Sequence, residues 1–118
     1  MRPGDRLLSR LRDIVYYGDR AKETVRNRQF AEMESVEIDA LCYLVLIVTE
    51  AALRALALDP QIATWHGEIP WHEIRGTGNR LRHGYATLDR QVVHEVVESG
   101  QIDQLLDVAR SEMERRGA

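Results

Sequence analysis

The chain has 118 residues, of which 44% are hydrophobic and 30% are charged, and its formal net charge is −3. This balance excludes an intrinsically disordered protein, and the length predicts one domain, residues 1–118, around a single core. The acidic net charge excludes a protein that attracts nucleic acid over its whole surface, so nucleic-acid binding requires a local basic patch.

The N-terminal part of the chain predicts a first helix from about Gly4 to Asn27. Its first half carries apolar residues that recur at helical spacing and form one stripe: Leu7, Leu11, Ile14 and Val15. Its last part, DRAKETVRNR, is polar nearly all round. We therefore expect this last part to project into solvent or to fray.

A second helix is predicted from Glu34 to Leu58, where Pro60 stops it. The apolar run from Ala40 to Leu58 is long enough to span a membrane, but Glu50 and Arg54 interrupt it. We interpret the run as a helix of a protein core. Glu50 on such a helix is expected to have an ion-pair partner or to lie at an exposed edge.

The second half of the chain predicts a connection followed by three shorter helices. Residues 61–68 are the connection, and a helix between Pro70 and Gly84 has one shared face: Trp71, Ile74, Gly78 and Leu81. The last two helices are predicted at residues 89–99 and 102–115. With no period-two strand pattern, the predicted fold is an all-α bundle of four or five helices.

The compartment is predicted from the only cysteine and from the N-terminus. Cys42 has no second cysteine with which to form an intrachain disulfide. Charged residues interrupt the first 17 positions, so no signal peptide is predicted. We expect a cytoplasmic protein.

The segment NRLRHGY concentrates groups that suit phosphoryl chemistry. His83 can exchange a proton near neutral pH, and Arg80 lies three residues before it on approximately the same face, with Asn79 beside them. A guanidinium can bind phosphate oxygens and stabilise the charge that develops on them. The alternative is a solvated basic helix face with no catalytic role. The spacing of the other histidines favours no metal site, and we predict no cofactor.

The stretch IPWHEIRGTGNRLRHGY resembles the motif region of HepT-like proteins, a branch of the HEPN superfamily. The positions that carry the resemblance keep their mutual spacing: Pro70-Trp71, Asn79-Arg80, His83-Gly84-Tyr85 and Asp89. The resemblance extends more loosely over almost the whole chain. It implies a helical homodimer that acts as a metal-independent endoribonuclease toxin.

The resemblance also implies roles for individual residues and a partner. By the resemblance His83 is the expected catalytic acid or base. Arg80 corresponds to the second arginine of the family motif and not to the catalytic one, and it is the position of Arg80 and Asn79 beside His83 that makes them the expected companions in the catalytic group. Arg75 and Arg82 are expected to bind the RNA substrate. The implied partner is an antitoxin, an MNT-type nucleotidyltransferase, which neutralises the toxin and transfers AMP to the tyrosine corresponding to Tyr85.

The sequence departs from the family pattern at two places. Gly78 occupies the position of the family's catalytic arginine, five residues before the histidine. On the predicted core helix, apolar or aromatic residues stand where Arg, Asn and Glu are frequent in the family: Tyr43, Leu44 and Leu46.

These departures leave three functions open: a nuclease that binds phosphate through a nearby arginine, a weakened domain that binds RNA or antitoxin, and a purely structural dimer. If the family geometry holds, Gly78→Arg should raise cleavage. We also expect the apolar side of the motif helix to face a second copy of the chain. Gly76 and Gly78 would permit the close approach of the two helices.

Overall fold

The computed structural model describes residues 2–84 and 89–118. The described residues form a bundle of six α-helices and one 3₁₀ turn, which confirms the predicted all-α class. The helices are α1 (Pro3–Val25), α2 (Ser35–Leu58), α3 (Gln61–Trp65), α4 (Trp71–His83), α5 (Gln91–Glu98) and α6 (Gln101–Arg115), and the 3₁₀ turn is Phe30–Glu32.

Helix α2 is the central element of the bundle, and it contacts α1, α3, α4 and α5. Its inward side chains, among them Leu41, Val45 and Val48, are fully buried. This placement confirms the prediction of a core helix. By length and composition alone α2 is also long and apolar enough to span a membrane. Half of its most apolar 18-residue stretch is buried inside the protein.

The C-terminal half of α1 packs on α6, so the prediction that it projects or frays is wrong. Ala21 and Val25 are buried. A Cβ at Gly18 would lie only 2.8 Å from Leu106 Cδ2, so the two helices are in close contact there. Two ion pairs flank the contact: Lys22 with Asp103 at 2.5 Å, and Arg110 with Asp19 at 3.0 Å. The apolar stripe continues through small residues that the sequence pattern did not reveal.

The predicted connection after α2 contains the short helix α3, so that expectation was also incomplete. Asp59 Oδ1 accepts the backbone N–H of Gln61 at 3.1 Å, and Ile62 is 1% exposed. A side-chain oxygen that takes an otherwise unpaired N–H at a helix start favours a helical turn. The single buried isoleucine then fixes the turn to the core.

A buried ionic cluster joins the end of α6 to the segment after α3. Glu112 is 1% exposed. It accepts hydrogen bonds from His66 Nε2 at 2.9 Å, Arg115 Nη2 at 2.5 Å and Arg116 Nη2 at 3.1 Å. Burial by itself raises the pKa of Glu112, but these hydrogen bonds outweigh it and hold the pKa below its ordinary value. The carboxylate is therefore the charged centre of the cluster.

Candidate functional site

Most residues of the motif lie on α4, and both ends of this helix are fixed by hydrogen bonds. At its start, Trp71 Nε1 donates to the carbonyl of His66 at 3.0 Å. At its end, the Gly84 N–H donates to the carbonyl of Arg80 at 2.9 Å. The last turn is basic, with Arg82 and His83 beside Arg80, which suits the negative end of the helix dipole.

The inner face of α4 packs against the core of its own chain. Ile74 and Leu81 are buried, as is Gly78. A Cβ at position 78 would lie 3.1 Å from the Oγ1 of Thr49, which is itself 1% exposed on α2. This face therefore serves the intrachain contact between α4 and α2.

This packing removes the basis of two expectations drawn from the sequence. The apolar side of α4 and the close approach at Gly78 were expected to serve a second copy, but both serve α2 of the same chain. The argument for Gly78→Arg also fails, because a side chain leaving position 78 starts towards buried Thr49 and not towards the exposed face. An arginine there would first have to push the Thr49 side chain aside by a few tenths of an ångström.

The outer face of α4 carries the predicted catalytic group. Asn79, Arg80 and His83 are exposed, and so is Arg75 nearer the start of the helix. The helical period places Asn79 and Arg80 within about 40–60° of His83 around the axis. In residues 2–84 and 89–118, the side chains of these four residues make no hydrogen bond or ion pair. The end of α4 thus presents an imidazole, a guanidinium and an amide to solvent.

Arg82 differs from these residues because it is held by α2. Its Nη2 donates to Glu50 Oε2 at 2.7 Å, while Glu50 Oε1 lies 3.3 Å from Arg54. Of the two expectations for Glu50, an ion-pair partner or an exposed edge, the structure shows the ion pair. Sequence reasoning did not place Glu50 at the site, although a carboxylate on the most apolar helix was the signal that could have identified it.

A groove of about 410 Å³ separates the outer face of α4 from α5. Arg80 lies at this groove, together with Gly76, where an added Cβ would meet nothing within 4 Å. Val92 and Val96 of α5 contribute apolar surface. Of the basic last turn of α4 only Arg80 lines this groove, and Glu73 and Glu95 lie in the same lining.

Two other motif positions have different outcomes. Asp89 Oδ1 accepts the backbone N–H of Gln91 at 3.0 Å, so Asp89 helps to start α5. Tyr85, the predicted modification site, lies outside the described residues. The described ranges contain no group of three or more His, Cys, Asp or Glu side chains suited to a metal ion.

Comparison with known proteins identifies a family. No curated protein and no solved structure matches the chain. The model of one family, described as Ribonuclease HepT-like, matches residues 8–112. The match covers most of the chain and includes the whole of α4 with its exposed His83. The chain therefore belongs to the HepT-like ribonuclease family.

Proposed function

We propose that this protein is the toxin of a toxin–antitoxin pair and that it cleaves RNA with His83 as its acid–base residue. The observation that carries the proposal is the exposed end of α4, where His83 lies beside Asn79 and Arg80 and its ring is not engaged by the described residues. Family membership supplies the reaction class.

The chemistry requires no metal ion. The RNA's own 2′-hydroxyl is the nucleophile, and His83 accepts its proton as the oxygen attacks the adjacent phosphorus. The bond to the 5′-oxygen breaks, and that oxygen takes up a proton. The products are a 2′,3′-cyclic phosphate and a 5′-hydroxyl. Arg80 suits the phosphate, because guanidinium groups stabilise charge that develops on phosphate oxygens.

The active form is proposed to be a homodimer, with α2 rather than α4 providing the apolar contact. On the outward side of α2, Val36 is 75% exposed and Tyr43 is 57% exposed. With the half-buried Ile47 these residues form an apolar stripe along the helix. The stripe leads to Glu50, which holds Arg82 of the motif helix. A second copy on this stripe would bring the two motif ends towards one cleft.

A negative charge introduced at either of two equally exposed tyrosines tests the dimer. Tyr43→Glu should shift the light-scattering mass from dimer to monomer, because it places a charge in the proposed contact. Tyr16→Glu is the control: Tyr16 is also 57% exposed, but it lies beside α6. A monomeric wild type, or a Tyr43→Glu protein that stays dimeric, contradicts this arrangement.

The partner is proposed to be a nucleotidyltransferase antitoxin that transfers AMP to Tyr85. The sequence places Tyr85 two residues after His83, so an AMP group there would add bulk and negative charge next to the acid–base residue. The negative charge of this phosphodiester would repel an RNA phosphate. Intact-mass measurement after co-expression with such an enzyme should show one AMP adduct, which Tyr85→Phe should lack.

Matched histidine variants test the nuclease directly. His83→Ala should abolish cleavage of end-labelled RNA by purified protein, whereas His72→Ala, an exposed histidine on the same helix, should retain it. EDTA should have no effect. Cleavage that survives His83→Ala, or that stops with EDTA, refutes the proposed mechanism.

A second function, an RNA- or antitoxin-binding module without nuclease activity, is favoured by one observation. Position 78 has no side chain and is closed off by Thr49, so the family's catalytic guanidinium is missing from its usual place. Under this alternative the wild type binds RNA and leaves it intact. The cleavage assay above separates the two functions.

A further inference from the structure

Because position 78 is a glycine, the family's guanidinium is absent there. Helix geometry shows which arginines leave α4 in a direction close to that of position 78. Arg82 lies four residues after position 78 and Arg75 three residues before it, which places both within about 40–60° of it around the helix axis. Arg80 lies about 160° away. The arginines on the side of the missing residue are therefore Arg82 and Arg75.

Of these two, Arg82 has a fixed position. Glu50 follows Thr49, the residue that faces Gly78, and its carboxylate holds the Arg82 guanidinium at the junction of α2 and α4. Glu50 is 30% exposed and Arg82 40% exposed, so the pair is neither buried nor fully solvated. Arg75 makes no hydrogen bond or ion pair with the other described residues.

The Glu50 contact leaves Arg82 able to bind a ligand. The contact with Glu50 engages one terminal nitrogen, Nη2, at 2.7 Å, whereas a guanidinium carries five N–H donors. The second Glu50 oxygen is used by Arg54 and does not compete for these donors. One edge of the Arg82 guanidinium is thus fixed to the protein, and the other donors can face a phosphate.

We propose that Arg82, positioned by Glu50, stabilises the scissile phosphate in place of the arginine absent at position 78. This inference rests on the proposed RNA cleavage. A guanidinium that is already fixed before substrate arrives loses little freedom on binding, and fixed donors stabilise developing negative charge most effectively. Glu50 is a positioning residue, because it acts only through Arg82.

The proposal predicts that Glu50→Gln changes kcat in the opposite direction from that expected from the negative charge of Glu50 alone. A carboxylate beside RNA repels phosphates, so if Glu50 had no positioning role, Glu50→Gln would strengthen RNA binding and leave kcat unchanged or higher. If Glu50 orients Arg82, the same change lowers kcat even though it removes an unfavourable charge. The glutamine side chain has nearly the same shape, so the fold should persist.

Steady-state cleavage kinetics and RNA binding across a salt series test the inference with three variants. Arg82→Ala should lower kcat by about 10²–10³ and reduce the salt slope of binding by about one. Glu50→Gln should lower kcat by about tenfold or more with little change in KM, since misplaced catalytic groups affect the chemical step. Arg54→Ala should retain the wild-type kcat, because the Glu50–Arg82 contact does not need it.

The outcomes separate this inference from the proposed nuclease function. If wild type cleaves in a His83-dependent manner but Arg82→Ala or Glu50→Gln retains full kcat, the inference is overturned and the nuclease function stands. If wild type binds RNA without cleaving it, the nuclease function fails. An unchanged salt slope in Arg82→Ala would then overturn the phosphate contact as well. Absence of both binding and cleavage overturns both.

Discussion

The two glycines of α4 allow the packing of the motif helix to be tested by stability alone. An alanine at Gly76 would meet nothing within 4 Å, whereas at Gly78 its Cβ would lie 3.1 Å from Thr49 Oγ1. Both substitutions gain the same helix propensity, roughly 0.5–1 kcal/mol. Only Gly78→Ala must push a buried neighbour aside.

These contacts give different expected stabilities. Gly76→Ala should raise the free energy of unfolding by about 1 kcal/mol, which is about 3–5 °C in Tm for a chain of this size. Gly78→Ala should gain less or become destabilising, because Thr49 already donates to the Leu46 carbonyl at 3.0 Å and has little room to move. Gly78→Arg should cost several kcal/mol, since it directs a charge into the contact with α2.

Urea unfolding followed by circular dichroism measures all three proteins beside the wild type. Equal stabilisation by the two alanines would refute the close contact between α4 and α2. A Gly78→Arg protein as stable as the wild type would show that position 78 faces solvent. In that case the original expectation of increased cleavage would return, together with the family geometry.

The ionic cluster yields the remaining predictions. Glu112→Gln should lower the free energy of unfolding by about 1–3 kcal/mol, because the partly exposed Arg115, Arg116 and His66 lose the buried carboxylate that accepts their hydrogen bonds; urea titration at neutral pH measures this. The folded-state pKa of Glu112 lies below the ordinary 4.5, so its contribution is present above that pH and is lost as the pH falls through the folded pKa. The free energy of unfolding should therefore fall less steeply with decreasing pH in Glu112→Gln than in the wild type. An equally steep fall in both proteins would contradict the lowered pKa of Glu112. Trp71→Phe should cost about 1 kcal/mol in thermal unfolding, because the His66 carbonyl loses its 3.0 Å donor.

The helices were predictable because their sequences carry strong local signals. Helix α2 was predicted from Glu34 to Leu58 and spans Ser35–Leu58, since its apolar run and the following Pro60 determine both its type and its end. Helix α4 ends at His83 before Gly84, as the glycine indicated. The spacing also predicted the apolar face of α4 that includes Gly78. The sequence did not show which surface this face packs against.

The errors arose where small residues or distant partners decide the structure. Gly18 and Ala21 carry almost no hydrophobic signal, yet they allow α6 to pack closely on α1. The Glu50–Arg82 contact joins residues 32 positions apart, and no periodicity connects two helices. Pairings of this kind depend on how the helices assemble, so a single sequence predicts that Glu50 needs a partner without identifying it.

The two departures from the family pattern are physically consistent with each other. Position 78 is buried against Thr49 of α2, and the same helix carries the buried Leu44 and the half-buried Leu46. A glycine at position 78 avoids burying an unpaired charge in the contact between α4 and α2. Glu50 is then the carboxylate at the α2–α4 junction, and it holds Arg82 at the edge of the same contact. The glycine that replaces one guanidinium and the carboxylate that fixes another therefore both belong to the contact between α2 and α4.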